Sequence, residues 1–405
     1  MIAKQKPWVE TTEAVELLSV SRATLYAYVS RGHIRSEPLP GRTRCRRYSR
    51  EDIERFVART QERRNPEKAA QQALHWGMPI LESAITLVAD GRIYYRGQDV
   101  SVLAGSRSIA DVAALLWTGS TESIALVSPP HLLPAALRRK QAVPFVAAAQ
   151  AALALAGAQD SLAYDLRLHA VVQTGWRIAW QLAGIASGID KPRATIDTTL
   201  AIGWGVPHAA DLIRAALILC ADHELNVSTF AARCVASAGS SPYGVVIAGL
   251  AALEGTKHGG ATARIEACWN ALHRTGDLTE ALAERLRRDE PISGFGHPLY
   301  PHGDPRGKAL LAMLPKGKVA IFAREFADAA HNILSEAPTV DFALVAVARA
   351  LGLPTGAALT LFAIGRTIGW IGHAIEQYQK HAIIRPRAKY IGEQPPVARH
   401  LPGDE

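Results

Sequence analysis

Residues 294–306 read Gly294-Phe-Gly-His297-Pro-Leu-Tyr-Pro-His-Gly-Asp-Pro-Arg306, GFGHPLYPHGDPR. Pro298, Pro301, Gly303 and Pro305 deny this stretch a helix or a central strand, so it is a loop. Glycines on both sides of His297 let the backbone approach whatever the imidazole touches. Arg306, on the same loop, carries a planar fork that suits a carboxylate. A histidine and an arginine displayed together in this way are built to hold a small acid.

The rest of the chain must supply partners for that loop. With 405 residues, 48 % hydrophobic and 20 % charged, it can form two or three domains with a large core, and disorder as the main state is excluded. The four cysteines, Cys45, Cys220, Cys234 and Cys268, form no CxxC pair. Neither a zinc knuckle nor a disulfide framework is indicated, no metal is expected, and a reducing cytoplasm fits best. The first residues, MIAKQKPWVETTE, lack the apolar run of a secretory signal. Val143 to Ala158, the most apolar stretch, is short for a membrane span and is expected to be a buried helix, so no membrane partner is expected.

Charge is unevenly spread. Residues 1–70 hold 15 Lys+Arg against 9 Asp+Glu, about +6 of the formal +8, so the basic character belongs to the N-terminal part. There, Thr11 and Thr12 precede a short apolar-periodic helix with Glu13 in its first turn. Ser21 can cap a second helix that Gly32 ends in the left-handed position. Pro38, Pro40 and Gly41 lead into a strand or wing, Arg42 to Tyr48. Ser49 and Asp52 have capping-box spacing before Ile53, Phe56 and Val57 of a third helix. Residues 1–60, especially VSRATLYAYVSRGHI followed by RRYSREDIERF, resemble the winged helix-turn-helix of excisionase and MerR-type DNA-binding families. The resemblance implies DNA as a partner, with Arg22, Arg31, Arg42, Arg44, Arg46 and Arg47 as the groups that would meet phosphates. The alternative is a solvated basic face on a small interaction or dimerisation module.

Residues 61–74 are polar, contain Asn65-Pro66, and are expected to be a linker. Beyond them, an alternating pattern around Asp90-Gly91 predicts a hairpin. From Ile109 onward nearly every segment has helical spacing, so the second domain is expected to be all-helical. Four clusters there could join the loop. The first is Asp222-His223-Glu224, which by itself is equally a satisfied polar group or a metal ligand. The second is Lys257-His258-Gly259-Gly260, where a histidine at a helix start would be kept neutral and could hydrogen-bond a carbonyl, unless it is only a hinge residue. The third is Asp341 at a helix start, either a plain cap or a carboxylate kept ionised by the dipole for use as a base. The fourth pairs Arg366, on an apolar helix with Ile364, Ile368, Ile371 and Ile375 on one stripe, with Arg385. A buried guanidinium of this kind needs an anion.

The 294–306 string and these clusters together resemble the citrate synthase family over residues 75–400. The resemblance implies a mainly α fold with all-α large and small domains, the small one at about 259–346. It implies oxaloacetate held by His223, Arg306, Arg366 and Arg385, with His258, His297 and Asp341 as the catalytic set. Asp341 would take a proton from the methyl of an acyl-thioester while His258 binds its carbonyl. The resulting enol would attack the ketone polarised by His297, and water would then release the thiol. No cofactor is permanently bound, acetyl-CoA or another acyl-CoA is co-substrate, and Arg385 would come from the second subunit of a homodimer. Thr262 and Thr339 stand where the family has Asn. Pro298 and Pro301 stand where it often has basic residues for coenzyme A. A 2-methylcitrate synthase, a citryl-CoA lyase-like enzyme and a metabolite-sensing DNA-binding regulator are the other readings.

Overall fold

A computed structural model describes residues 8–18, 20–39, 42–53, 56, 81–121, 126–129, 131–132, 143–274, 276–388 and 390–393. The expected linker, 61–74, and Val57 lie outside the described residues. The chain forms two compact units, Met1–Glu82 and Ser83–Glu405.

In the first unit, strand β1 (Trp8–Glu10) leads into helix α1 (Thr11–Leu18), helix α2 (Arg22–Ser30) and the hairpin β2 (Ser36–Leu39) and β3 (Arg42–Ser49). The sheet is antiparallel in the order β1-β3-β2, with Trp8 opposite Ser49 and Glu37 opposite Arg47. Ser21 caps α2 by accepting from Thr24 N, and Gly32 follows the helix at φ 74°, as its sequence requires. Val9, Ala14, Leu18, Leu25, Ile34, Tyr48 and Ile53 make one small core. Only half of the expected capping box forms at residues 50–53. Ser49 Oγ accepts from Asp52 N, but the Asp52 carboxylate turns to Arg35, bonding its N, Nε and Nη2 at 2.7–2.9 Å. A charged fork outcompetes the single backbone N–H.

The second unit opens on strands β4 (Thr86–Ala89), β5 (Arg92–Tyr95) and β6 (Gln98–Asp99), paired antiparallel in that order. Asp90 and Gly91, at φ 51° and 70°, form the expected turn. Fourteen α-helices follow among the described residues, with a short 3-10 helix at Pro207–Ala209. They are α3 (Val100–Ser106), α4 (Ile109–Thr118), α5 (Phe145–Gln159), α6 (Leu168–Ser187), α7 (Ile196–Gly203), α8 (Ala210–Leu219), α9 (Val227–Ser237) and α10 (Pro242–Glu254). After these come α11 (Gly260–Leu272), α12 (Leu278–Arg287), α13 (Pro305–Ala312), α14 (Lys318–Leu334), α15 (Val340–Ala350) and α16 (Ala357–Lys380).

Helix α16 is the axis of this unit, packed by α4, α6, α8, α9, α10 and α15. By length and composition it could cross a membrane, but 94 % of its apolar window is buried inside the fold. It is therefore apolar because it is surrounded, and burial runs all round it rather than along the single isoleucine stripe expected from its sequence. Helix α5 departs from expectation in the opposite sense. Val146, Ala149, Leu153 and Ala156 are buried, while Leu155 is 42 % exposed, so only one face of that alanine-rich stretch is core. Helices α11, α14 and α15 meet over an aromatic cluster of Trp269, Phe322, Phe326 and Phe342, which Phe295 of the 294–304 loop joins.

Candidate active site

Residues 294–304 form the expected loop, but Pro305 and Arg306 lie in helix α13, which corrects the reading of the whole stretch as loop, because proline is tolerated in the first turn of a helix and Asp304 caps it. Gly294 O accepts from Thr339 N at 2.8 Å and from Thr339 Oγ1 at 3.2 Å, while Gly296 N donates to Ala337 O at 3.0 Å. Gly294 and Gly296 have φ of 97° and 73°, and a Cβ on Gly296 would fall 2.4 Å from the Glu336 carboxyl carbon, so neither position tolerates a side chain. Leu299 N donates to His297 Nδ1 at 3.2 Å, which makes Nε2 the protonated ring nitrogen. Burial, then Arg306 nearby, holds the imidazole below its ordinary pKa.

His223 reaches the same place from the end of α8. Its Nε2 lies 2.6 Å from Tyr300 Oη, and its ring meets that of His297 edge-on with centroids 5.3 Å apart. Burial and then the two arginines, Arg306 and Arg366, push it well below the ordinary histidine range. The corner is held by Tyr95, whose hydroxyl accepts from Asp222 N at 2.9 Å and lies 3.1 Å from the Ile218 and Asp222 carbonyls.

Arg306 is 3 % exposed and is bound on two sides by Asp304, Nε to Oδ1 at 3.0 Å and Nη2 to Oδ2 at 2.8 Å. Asp304 also accepts from Val340 N at 3.1 Å, which couples the arginine to the first turn of α15, where Asp341 sits. Burial would push the Asp304 carboxyl up, but Arg306 more than offsets it and the net direction is down. Asp341 goes the other way. Burial raises its pKa, with Arg306 pulling it down only in part.

Arg366 is fully buried in the middle of α16. Its Nε donates to Cys220 O at 2.9 Å and its guanidinium stacks 4.6 Å above the Phe362 ring, but Nη1 and Nη2 find no acceptor among the described residues. His258 meets the ring of the same phenylalanine edge-on, centroids 5.8 Å apart, with Nε2 2.9 Å from Ser228 Oγ. Burial and Arg366 lower its pKa to about 4, so it is neutral at neutral pH. Thr262, in the place of the family's Asn, donates to Gly259 O instead of supporting His258.

Six of the seven expected residues thus converge. The field of Arg366 is felt at His223, His258 and Asp341, and that of Arg306 at His223, His297 and Asp341. Arg385 does not join them within one chain, since it is exposed in the stretch that follows α16. The residues that sequence reasoning passed over are Tyr300, Asp304, Ser228 and His373. Tyr300 and Asp304 sit inside the 294–306 string and Ser228 five residues past His223, whereas nothing in the sequence distinguishes His373 from a core residue. Among the described residues no cluster of His, Cys, Asp and Glu could hold a metal. A cavity of about 780 Å³ between Tyr164–Leu168, Ala236–Gly239 and the end of α16 is lined by none of the six.

On the N-terminal unit, Arg22 and Arg31 are exposed and Tyr26 is 52 % exposed beside them. Arg46 is exposed but donates to Ser36 Oγ and O, while Arg47 is paired with Glu37 at 2.5 Å and stacked on Trp8. The side chains of Arg42 and Arg44 lie outside the described residues.

Comparison with known proteins agrees with this geometry. Residues 73–387 match the citrate synthase C-terminal domain and residues 8–61 a helix-turn-helix domain. Citrate synthase 2 of Bacillus subtilis is 28 % identical over 81 % of this chain and 97 % of its own, and 2-methylcitrate synthase 2 of Corynebacterium glutamicum 27 % over 74 % and 88 %. The citrate synthase of Thermoplasma acidophilum, solved in a ternary complex with carboxymethyl coenzyme A and oxaloacetate, shares the fold with a TM-score of 0.69 at 23 % identity, covering 80 % of this chain and 97 % of its own. This chain is therefore an enzyme of the citrate synthase family with a helix-turn-helix unit at its N-terminus.

Proposed function

We propose that the chain condenses acetyl-CoA with oxaloacetate, giving citrate and free coenzyme A. The observation that carries this reading is the Arg366 guanidinium, buried beside His223, His258 and Arg306 with two nitrogens that find no acceptor among the described residues. Such a group calls for an anion, and a compact dicarboxylate with a ketone supplies one carboxylate for each arginine.

In this reading His223, Arg306 and Arg366 bind oxaloacetate, and the partner subunit of a homodimer adds its own Arg385. His297 donates from Nε2 to the ketone oxygen. Asp341 removes a proton from the thioester methyl, His258 hydrogen-bonds the thioester carbonyl, and the enol carbon forms the new bond while the ketone oxygen takes up a proton. Water then breaks the carbon–sulfur bond. Residues 1–60, 61–74 and 75–400, with a small domain at 259–346, are the working divisions, and the protein operates in the cytoplasm. Thiol release measured with oxaloacetate and either acetyl- or propionyl-CoA tests the proposal and separates it from the 2-methylcitrate reading, since one methyl group shifts discrimination by only about 1–3 kcal/mol. Absence of thiol release with both thioesters overturns it, and cleavage of citryl-CoA to acetyl-CoA and oxaloacetate without thiol release favours a lyase-like enzyme. Exposed Arg22 and Arg31 support a second role in which the N-terminal unit binds DNA and the enzyme unit reports the metabolite.

A further inference from the structure

Behind the oxaloacetate corner lies a chain of buried polar groups that the proposed mechanism does not use. Asp222, His373 and Arg233 are all fully buried. His373 stands between the other two, with Nε2 3.4 Å from Asp222 Oδ2 and Nδ1 3.0 Å from Arg233 Nη1. A guanidinium has only N–H donors, so Nδ1 must accept and the ring proton must sit on Nε2, aimed at the carboxylate. Arg233 is itself fixed, Nη1 to Glu376 at 3.0 Å and Nε to Gln377 Oε1 at 3.0 Å. Gln377 in turn donates to Ala382 O at 2.7 Å, at the start of the stretch that carries Arg385.

At the other end, the Asp222 carboxylate accepts from Thr86 Oγ1 at 2.6 Å and from Glu224 N at 3.2 Å. His223 lies between Asp222 and Glu224, and Glu224 is forced to φ 50°. The carboxylate is therefore the clasp of the tight turn that presents His223. We propose that His373 is a positioning residue for the substrate-binding corner: its Nε2–H, oriented by Arg233, holds the Asp222 carboxylate and through it the His223 turn. This rests on the reading of His223 as an oxaloacetate ligand. It differs from mere core packing because only one ring nitrogen matters to the site.

Two substitutions separate those nitrogens. In His373→Asn the side-chain oxygen falls near the place of Nδ1 and still accepts from Arg233, but nothing reaches Asp222. In His373→Gln the amide N–H reaches the place of Nε2. The expected result is that His373→Asn raises both the calorimetric Kd for oxaloacetate and its KM about tenfold, as loss of a charge-assisted hydrogen bond would, with kcat at saturation nearly unchanged. His373→Gln should stay close to the parent in both. Equal losses in the two variants, or an unchanged KM in His373→Asn, overturn the proposal. If the parent binds no oxaloacetate, the proposed function fails instead. The relay is then read from ¹⁵N-histidine NMR of the full chain, where a bare Nδ1 and protonated Nε2 for His373 support it and a protonated Nδ1 overturns it.

Discussion

Arg366 is the residue whose cost and use are most sharply opposed. Two guanidinium nitrogens without acceptors among the described residues, in a fully buried site, destabilise the empty fold, and the same nitrogens give an anion its reason to bind. Replacing Arg366 with Met should therefore stabilise the ligand-free protein, by about 1 kcal/mol or more in denaturant titration, while weakening oxaloacetate at least about tenfold in calorimetry. A variant that is both less stable and equally tight would contradict that view of the site. Asp341→Asn should lower turnover by about 100- to 10,000-fold and leave oxaloacetate affinity nearly intact, because a general base acts on the thioester. The pH profile follows from the same carboxyl. Burial raises its pKa from the ordinary aspartate value, so the ionised base is lost at a higher pH than for an exposed aspartate. The acid limb of kcat should consequently belong to Asp341. Histidine burial adds a stability effect of definite sign. The unfolded chain takes up the His258 proton near pH 6.5 and the folded chain only near 4, so this group makes folding less favourable as pH falls through that window. Denaturation midpoints at pH 7.5 and 5.5, compared between the parent and His258→Gln, should show the parent losing more.

At the level of elements, α16 is pressed against the end of α8 so closely that two of its positions must be glycine. A Cβ at Gly369 would come within 2.3 Å of Ala221 O and 2.4 Å of Asp222 Oδ1, and one at Gly365 within 2.5 Å of Leu217 O. In an exposed helix, Gly→Ala stabilises by about 1 kcal/mol. Here the neighbours are largely backbone and cannot yield, so overpacking decides the sign and Gly369→Ala should cost about 1–3 kcal/mol in urea titration. Because the clash falls on Asp222, the same variant should also raise the KM for oxaloacetate. A stabilised variant with unchanged KM would show that α16 has room to shift.

For the whole molecule, the two compact units invite separate tests. None of the proposed catalytic groups lies in residues 1–60, so deleting them should leave thiol release unchanged. Fluorescence anisotropy with duplex DNA should show binding by the full chain but not by the truncated one, weakening with salt by about 0.9 in log–log slope per phosphate neutralised. Arg22 and Arg31 should matter more than Arg47, whose charge is already met by Glu37. Loss of activity on truncation would make the N-terminal unit a structural part of the enzyme. Arg385, exposed in the single chain, should affect oxaloacetate affinity only in the dimer, and an active monomer would remove it from the site.

The sequence alone determined the helix-turn-helix, through Ser21, Gly32 and the apolar spacing around them, and the helical character of the main unit. It also determined the loop at 294–304 and most of the charged groups of the candidate site, because turn residues and histidine–glycine or Asp-Pro-Arg strings are local signals, but not that Pro305 opens a helix carrying Arg306. What it could not decide depends on neighbours brought from far along the chain. The burial that raises Asp341 is one such effect, and the missing acceptors around Arg366 are another. The all-round burial of α16 and the half-exposure of α5 follow from which helices surround them. His373 is the extreme case, since its meaning lies in Asp222 and Arg233, more than a hundred residues away, and only tertiary packing sets its two ring nitrogens between them.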